Sequence, residues 1–286
     1  MKKLLISSAI LFPMLSFAQP LHINLLGGFS NYQGDLQDKQ FTMSQSNAAF
    51  GVGAEYDLSG HFSLRGGLLL GKVSSDDKKN TQADLVARNL SFKSNITEGN
   101  LLLVYNFLDI QRYRLTPYAF GGVAIYHFDP YTYDTLGHTF YLKNLSTEGQ
   151  GLAAYPDRKA YNLTQFAIPF GGGIKFRLTQ NLVVGYEIGF RKLFTDYLDD
   201  LSTTYVDQAT LLAEKGPKAV ELAFRGGELK TGATYPVDGT VRGGPKFKDW
   251  YYFSGISLSI GINNGKRYYE NSRGGKSRLD CPPILP

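Results

Sequence analysis

The chain has 286 residues and a formal net charge of +5, with 43% hydrophobic, 14% aromatic and 19% charged residues and 32 glycines. An ordinary soluble domain carries roughly 25% charge, so this one is charge-poor, and its Tyr and Phe content excludes a disordered chain. Its one cysteine, Cys281, excludes an internal disulfide and a multi-thiolate metal site, and a charge of +5 on this length gives no argument for nucleic acid.

In chain order, Lys2 and Lys3, an apolar stretch from Leu4 to Leu15 and the small residues of Ser16-Phe17-Ala18 read as an export signal cut after Ala18. No run of about 20 apolar residues follows it, so no spanning helix is expected. Period-two alternation then predicts eight strands, near 21–34, 47–58, 62–73, 94–108, 115–128, 161–178, 181–194 and 249–263. In the second, Phe50, Val52, Ala54, Tyr56 and Leu58 alternate with Gly51, Gly53, Glu55 and Asp57. In the seventh, Leu182, Val184, Tyr186, Ile188 and Phe190 alternate with Gly185, Glu187, Gly189 and Arg191. All eight reach the roughly 9–11 residues that a tilted strand needs to cross a bilayer, whereas globular strands average about 5–6.

The connections alternate too. Ser59-Gly60-His61, Asp109 to Arg114 and Thr179-Gln180 are short; 35–46, 74–93, 129–160 and 195–248 are long. Short periplasmic turns opposite long extracellular loops are the pattern of outer-membrane barrels, and unpaired strand edges cannot be solvated in lipid, so the strands must close. The expected fold is all-β: an eight-stranded antiparallel transmembrane β-barrel, up-and-down, spanning 19–263, with both termini periplasmic and outer-membrane lipid around it. The inward set contains Glu55, Asp57, Glu98 and Glu187 with Arg65, Lys175, Arg177 and Arg191. A lumen of eight strands is just wide enough for side chains to fill, so these charges are expected to pair across it and leave no pore. Tyr32, Tyr56, Tyr105, Tyr186, Trp250 and Tyr252 are expected outside, in the interfacial belts.

The longest connection, 195–248, holds the helical composition of 206–224, which Gly216 and Pro217 divide into two short helices. Leu211, Leu212, Val220, Leu222 and Phe224 there must cover the barrel mouth or a partner. After the last strand comes a tail, 264–286, in which Lys266, Arg267, Arg273, Lys276 and Arg278 outnumber Glu270 and Asp280; it reads as a periplasmic extension able to meet an acidic partner. There is no G-x-S-x-G, phosphate loop or C-x-x-C, and no histidine has a partner at ligand spacing, so no cofactor, metal or catalytic residue is expected. The candidates for interaction are Asp196, Tyr197, Asp199 and Asp200 and the five basic tail residues. A competing reading is an enzyme acting on lipid or peptide at the extracellular rim, with His127, Asp196, Asp199 and Asp200 as its working groups.

Three blocks carry a family resemblance: Asn31-Tyr32-Gln33-Gly34-Asp35-Leu36, the stretch from Phe194 to Asp207 containing Thr195-Asp196-Tyr197-Leu198-Asp199-Asp200, and Arg242-Gly243-Gly244-Pro245 followed by Lys248-Asp249-Trp250-Tyr251-Tyr252-Phe253. With these blocks the chain resembles the PorG-like outer-membrane barrels of Bacteroidota over about 21–263. The resemblance implies a non-enzymatic barrel associated with the type IX secretion system, tying a periplasmic ring of lipoprotein and partner subunits to the outer membrane.

Overall fold

A computed structural model describes residues 21–38, 42, 45–230, 232–244 and 248–262. The export signal expected at 1–18 and the tail with Lys266, Arg267, Arg273, Lys276 and Arg278 lie outside the described residues. The strands are β1 (Leu21–Gln33), β2 (Asn47–Asp57), β3 (Phe62–Asp76), β4 (Ser91–Asn106), β5 (Leu115–Tyr133), β6 (Thr139–Tyr141), β7 (Thr164–Arg177), β8 (Leu182–Leu193) and β9 (Trp250–Gly261). Each pairs antiparallel with the next, except that β7 pairs with β5 and the short β6 only extends the far end of β5. β9 pairs back onto β1 from His22↔Gly261 to Gln33↔Trp250 and closes an eight-stranded barrel.

Closure needs two backbones to come together at one place. Gly28 and Gly255 face each other across the β1–β9 seam. A Cβ on Gly28 would sit 2.2 Å from the Ser254 carbonyl oxygen, and one on Gly255 would sit 2.4 Å from that of Gly27. Any larger residue at either position would force the seam apart.

Successive side chains point to opposite faces of a strand, so the sequence alternation becomes a lipid face and a lumen. Phe50, Val52, Leu68, Val123, Phe166 and Ile256 point outward and are each more than half exposed. About nine residues per strand, at a rise of about 3.3 Å and a tilt of about 40°, give an apolar band roughly 23 Å tall, matching a bilayer core spanned by a barrel. No helix among the described residues is long and apolar enough to cross a membrane.

The lumen is packed with charge. Lys175 on β7 donates to Glu55 on β2 at 2.6 Å, Arg65 on β3 to Glu187 on β8 at 2.7 Å, and Arg191 on β8 to Glu98 on β4 at 2.9 and 3.1 Å. Neutral groups complete each pair: Asn24 on Glu55, Tyr118 on Glu187, and Asn100 and Tyr251 on Glu98. Nearer the short turns, Asp57 accepts from Ser63 and meets the His22 ring, and Arg177 donates to the Gln111 carbonyl. A cavity of about 40 Å³ lies beside Arg65, Asn100 and Glu187.

Two expectations are corrected. Tyr32 does not face lipid: the β1 register puts it in line with His22, Asn24 and Gly28, opposite Tyr251, and it is 1% exposed. Tyr252 does point outward but is covered, its hydroxyl meeting the backbone of Thr42 in the first long loop. β3, β4 and β5 also run past their expected ends at the long-loop side. There Lys72, Asn95 and His127 replace the outward apolar series, while the inward series continues as Val73, Phe92, Ile96 and Phe128 because the loops supply a core to pack against.

Arg191→Ala is expected to destabilise the barrel by about 3–5 kcal/mol, the cost of leaving a buried carboxylate without its counter-charge; urea titration in lipid vesicles measures it, and an unchanged midpoint would refute the pairing as a source of stability. Planar-bilayer recordings of the wild-type protein should show no discrete conductance steps, and regular steps would show that the lumen is not plugged.

Candidate interaction site at the barrel mouth

The long-loop end is folded rather than open. Tyr32, Leu36, Phe92, Tyr126, Phe128, Leu142, Tyr161, Leu193, Leu198, Leu201 and Tyr251 form one apolar cluster that continues the lumen upward. Above it lie the helices α1 (Ala83–Arg88), α2 (Leu142–Leu145), α3 (Gln208–Lys215) and α4 (Pro217–Ala223). Asp207 caps α3 through the Thr210 N–H, and Gly216, at φ +84°, makes the break before Pro217 opens α4. Leu211, Ala219 and Ala223 are buried against Leu152 and Val206, so this helix pair covers the third long loop, not lipid.

Between the apolar cluster and the helices, the three blocks that carry the family resemblance meet in one buried network. Tyr32 donates its hydroxyl to Asp199, and Asp249 lies on the same hydroxyl at 3.3 Å. Asp249 in turn accepts the Leu198 N–H at 2.9 Å, and Asp35 accepts that of Gly244 at 2.6 Å. Asp199 also accepts the Leu201 N–H, and Asp196 accepts the Ser202 hydroxyl. Asp200 takes a left-handed backbone, φ +67°, and accepts from Thr147 and Tyr161.

Two arginines tie these groups to the neighbouring loops. Arg242 donates to the Glu148 carboxylate at 3.1 Å, the Asp200 carbonyl at 2.7 Å and the Ala223 carbonyl at 3.1 Å. Glu148 also accepts from the backbone N–H groups of Ser202 and Thr203. Arg88 donates to Asp77 at 2.8 Å and to the carbonyls of Arg242 and Asp35 at 2.6 and 3.0 Å. Glu148, Asp77 and Arg88 went unnoticed in the sequence because nothing in their local pattern distinguishes them from surface loop residues.

Burial, less the partial relief from neighbouring donors, pushes the Asp196 and Asp200 carboxyls up to about 6. Burial and repulsion from neighbouring carboxylates, chiefly Asp35 for Asp199 and Asp199 for Asp249, push both well above the usual carboxylate range. Asp196, Asp199 and Asp200 are thus enclosed and hydrogen-bonded rather than offered to a partner, and half-buried Tyr197 stacks on Tyr161 at 4.8 Å. His127 is not brought to them: it points outward from β5 and meets the Thr164 hydroxyl. His138 meets Asp134 at 3.3 Å, and no group of His, Cys, Asp or Glu among the described residues could hold a metal ion. The chemistry the network supports is bracing: it locks loops one, two, three and four to each other and to the mouth.

A family model described as a domain of unknown function, DUF6089, matches residues 2–212. No curated protein matches the chain. Among solved structures the chain is similar to Neisserial surface protein A, at 8% identity and TM-score 0.43, over 85% of this chain and 97% of that one. It is also similar to Ail, the attachment invasion locus protein of Yersinia pestis, in its complex with the heparin analogue sucrose octasulfate, at 7% identity and TM-score 0.41 over 85% and 99%. A third is a major outer membrane protein from Thermus thermophilus, at 14% identity and TM-score 0.39 over 86% and 100%.

The raised carboxyls give the mouth a pH dependence of known sign. Asp196 and Asp200 ionise near 6 when folded, against about 3.9 in an unfolded chain. The folded state therefore holds more protons between these values, and the stability so gained is full below about 4 and lost as pH rises through 6. The 194–207 segment should be held more tightly at pH 5 than at pH 8, by about 1–3 kcal/mol in total. Amide exchange protection factors, corrected for intrinsic rate, measure this; greater protection at pH 8 would reverse the sign.

Proposed function

Because the chain belongs to the DUF6089 family, a domain of unknown function, its role has to be read from its own residues, and we propose that it is a non-enzymatic outer-membrane barrel serving as an accessory anchor of type IX secretion. The observation that carries this reading is the convergence of the three PorG-like blocks, 31–36, 194–207 and 242–253, on one buried network at the mouth. The residues behind the resemblance are those that fix the shape of the loop cap. A lumen filled by ion pairs suits a protein that holds position in the membrane instead of passing solute.

In this reading the apolar band sits in outer-membrane lipid, the short turns face the periplasm, and a periplasmic ring of lipoprotein and partner subunits docks below. β9 runs toward the short-turn end and finishes at Gly261, on the side on which the ring would lie. Lys266, Arg267, Arg273, Lys276 and Arg278 are then the groups that meet an acidic ring subunit, with the attraction weakening as salt rises.

A tagged protein, extracted in mild detergent, should co-purify with periplasmic ring subunits, and deletion of its gene should stop export of secreted cargo. Reversing the five tail charges to Glu should release the ring while the barrel still inserts. Normal secretion after deletion, together with a pull-down free of ring subunits, would overturn the proposal.

A further inference from the structure

On the outer surface of the barrel the apolar band ends differently at its two edges. Toward the short turns the outward side chains are aromatic, with Phe62 on Tyr105 at 5.0 Å and Tyr105 on Phe107 at 5.2 Å. Toward the long loops, on β3, β4 and β5, they turn basic and polar. Strand pairing sets three rows there, one above the other: Leu70↔Thr97↔His127↔Thr164, then Lys72↔Asn95↔Asp129, then Ser74↔Lys93↔Tyr131. Lys93 is thus the diagonal neighbour of Lys72, about 7–8 Å away along the sheet, and both side chains can reach one small group. Lys93 rests on the Tyr133 ring at 5.0 Å, and Lys72 lies beside the Tyr131 hydroxyl. The lysines in ion pairs among the described residues are Lys175 and Lys218, so neither Lys72 nor Lys93 has a carboxylate in contact. Asp129, the acidic group of the patch, faces His127 and Lys143 instead.

Directly beneath the patch the surface suits an acyl chain. Gly99 lies between Leu68 on β3 and Ile125 on β5 and leaves a dip in the outward face; a Cβ there would meet nothing nearer than Leu68, at 3.8 Å. Leu68, Leu70, Leu101 and Ile125 stand around it, each at least half exposed. A chain lying in this dip carries its headgroup to the height of Thr97, Asn95 and the two lysines. A phosphate monoester holds about −1.5 to −2 charges at pH 7, which two unpaired ammonium groups balance. A free phosphate would gain little from exposed lysines alone, whereas one tethered by its chains in the band is delivered to them at high effective concentration. We propose that this face of β3, β4 and β5 binds a lipid whose headgroup bears a phosphate monoester, the phosphate held by Lys72 and Lys93 and the chains lying on Leu68, Leu70, Leu101 and Ile125. The proposal rests on the long loops facing outward, which makes the lipid one of the outer leaflet, and is independent of any tie to a secretion ring. Lys192 on β8, flanked by Ile168 and Trp250, is a rim lysine outside the patch and serves as the comparison.

The test is native mass spectrometry of the purified, delipidated protein in a non-ionic detergent. It is titrated with diphosphoryl lipid A and phosphatidic acid, which carry phosphate monoesters, with phosphatidylglycerol and phosphatidylcholine, which carry diesters, and with glucosamine 6-phosphate as a soluble monoester. At least one monoester lipid should bind saturably, about 5-fold or more tighter than either diester lipid. Lys72→Gln combined with Lys93→Gln should weaken that binding about 10–30-fold, whereas Lys192→Gln should leave it unchanged. All three side chains point away from the barrel interior, so the heat-modifiable gel mobility of the folded barrel should be the same in every variant. The proposal is overturned if neither monoester lipid saturates, if the diester lipids bind as tightly, or if the double variant binds like the wild type. Equal loss from Lys192→Gln, or glucosamine 6-phosphate binding as tightly as the lipids, would overturn it too. Because the readout does not involve secretion, failure of the anchor role leaves this result unaffected.

Discussion

The rest of the structure depends on the closure of β9 onto β1. A sheet in lipid has no water to satisfy an open edge, so the seam must form along its whole length, and at Gly28 and Gly255 it forms only because neither residue has a Cβ. Once the ring is shut at eight strands, the lumen volume is set and every inward side chain must fit within it. The inward glycines and the long charged side chains are two halves of one solution. A Cβ on Gly189 would lie 2.5 Å from the Arg191 guanidinium, so this glycine leaves the space the arginine occupies. The charges are tolerated because each is met directly: Glu98 alone takes Arg191, Tyr251 and Asn100. An ion pair in such an interior is not a strong source of net stability, but its separation would be costly. The arrangement therefore resists opening more than it adds to folding.

The mouth follows from the same closure. The inward series of β3, β4 and β5 runs on past the lipid band, and its apolar members need cover, which the long loops provide. Covering a mouth with loops buries backbone that no sheet can pair. The cap meets this with carboxylates: Glu148 accepts two backbone N–H groups, and Asp249, Asp35, Asp77 and Asp199 each accept one. Acidic residues here act as acceptors for loop backbone, and the arginines act as donors for loop carbonyls. The cost appears in the ionisation of Asp196 and Asp200, which burial makes harder.

The lipid face was legible in the sequence because alternation with period two maps directly onto the two faces of a strand, and runs of nine or more residues left little room for another reading. The division of 206–224 into two helices was legible as well, since Gly216 and Pro217 are local signals with local consequences. Tyr32 was not. Its side follows from alternation along β1, where it shares the polar set of His22, Asn24 and Gly28 opposite Leu21, Ile23, Leu25 and Phe29, but as an aromatic next to the strand end it reads as a belt tyrosine. Asp196, Asp199 and Asp200 stand out in the chain as an exposed acidic run, yet the fold encloses them, because burial of a loop carboxylate depends on donors contributed from distant segments: Tyr32 and Tyr161, Thr147 and Arg242.

What the sequence by itself determined is the all-β class, the strand count, the short-turn and long-loop ends, and which charges face the lumen, since all of these follow from periodicity and spacing along one chain. Only the tertiary structure decided which charge meets which across the barrel, that Tyr32 meets Asp199 and Asp249, that Glu148 and Arg88 brace the cap, and that a pocket opens between three loops. Those depend on contacts between residues tens to hundreds of positions apart. Chain pattern sets the face a side chain points to, but closure and loop packing set what it meets there.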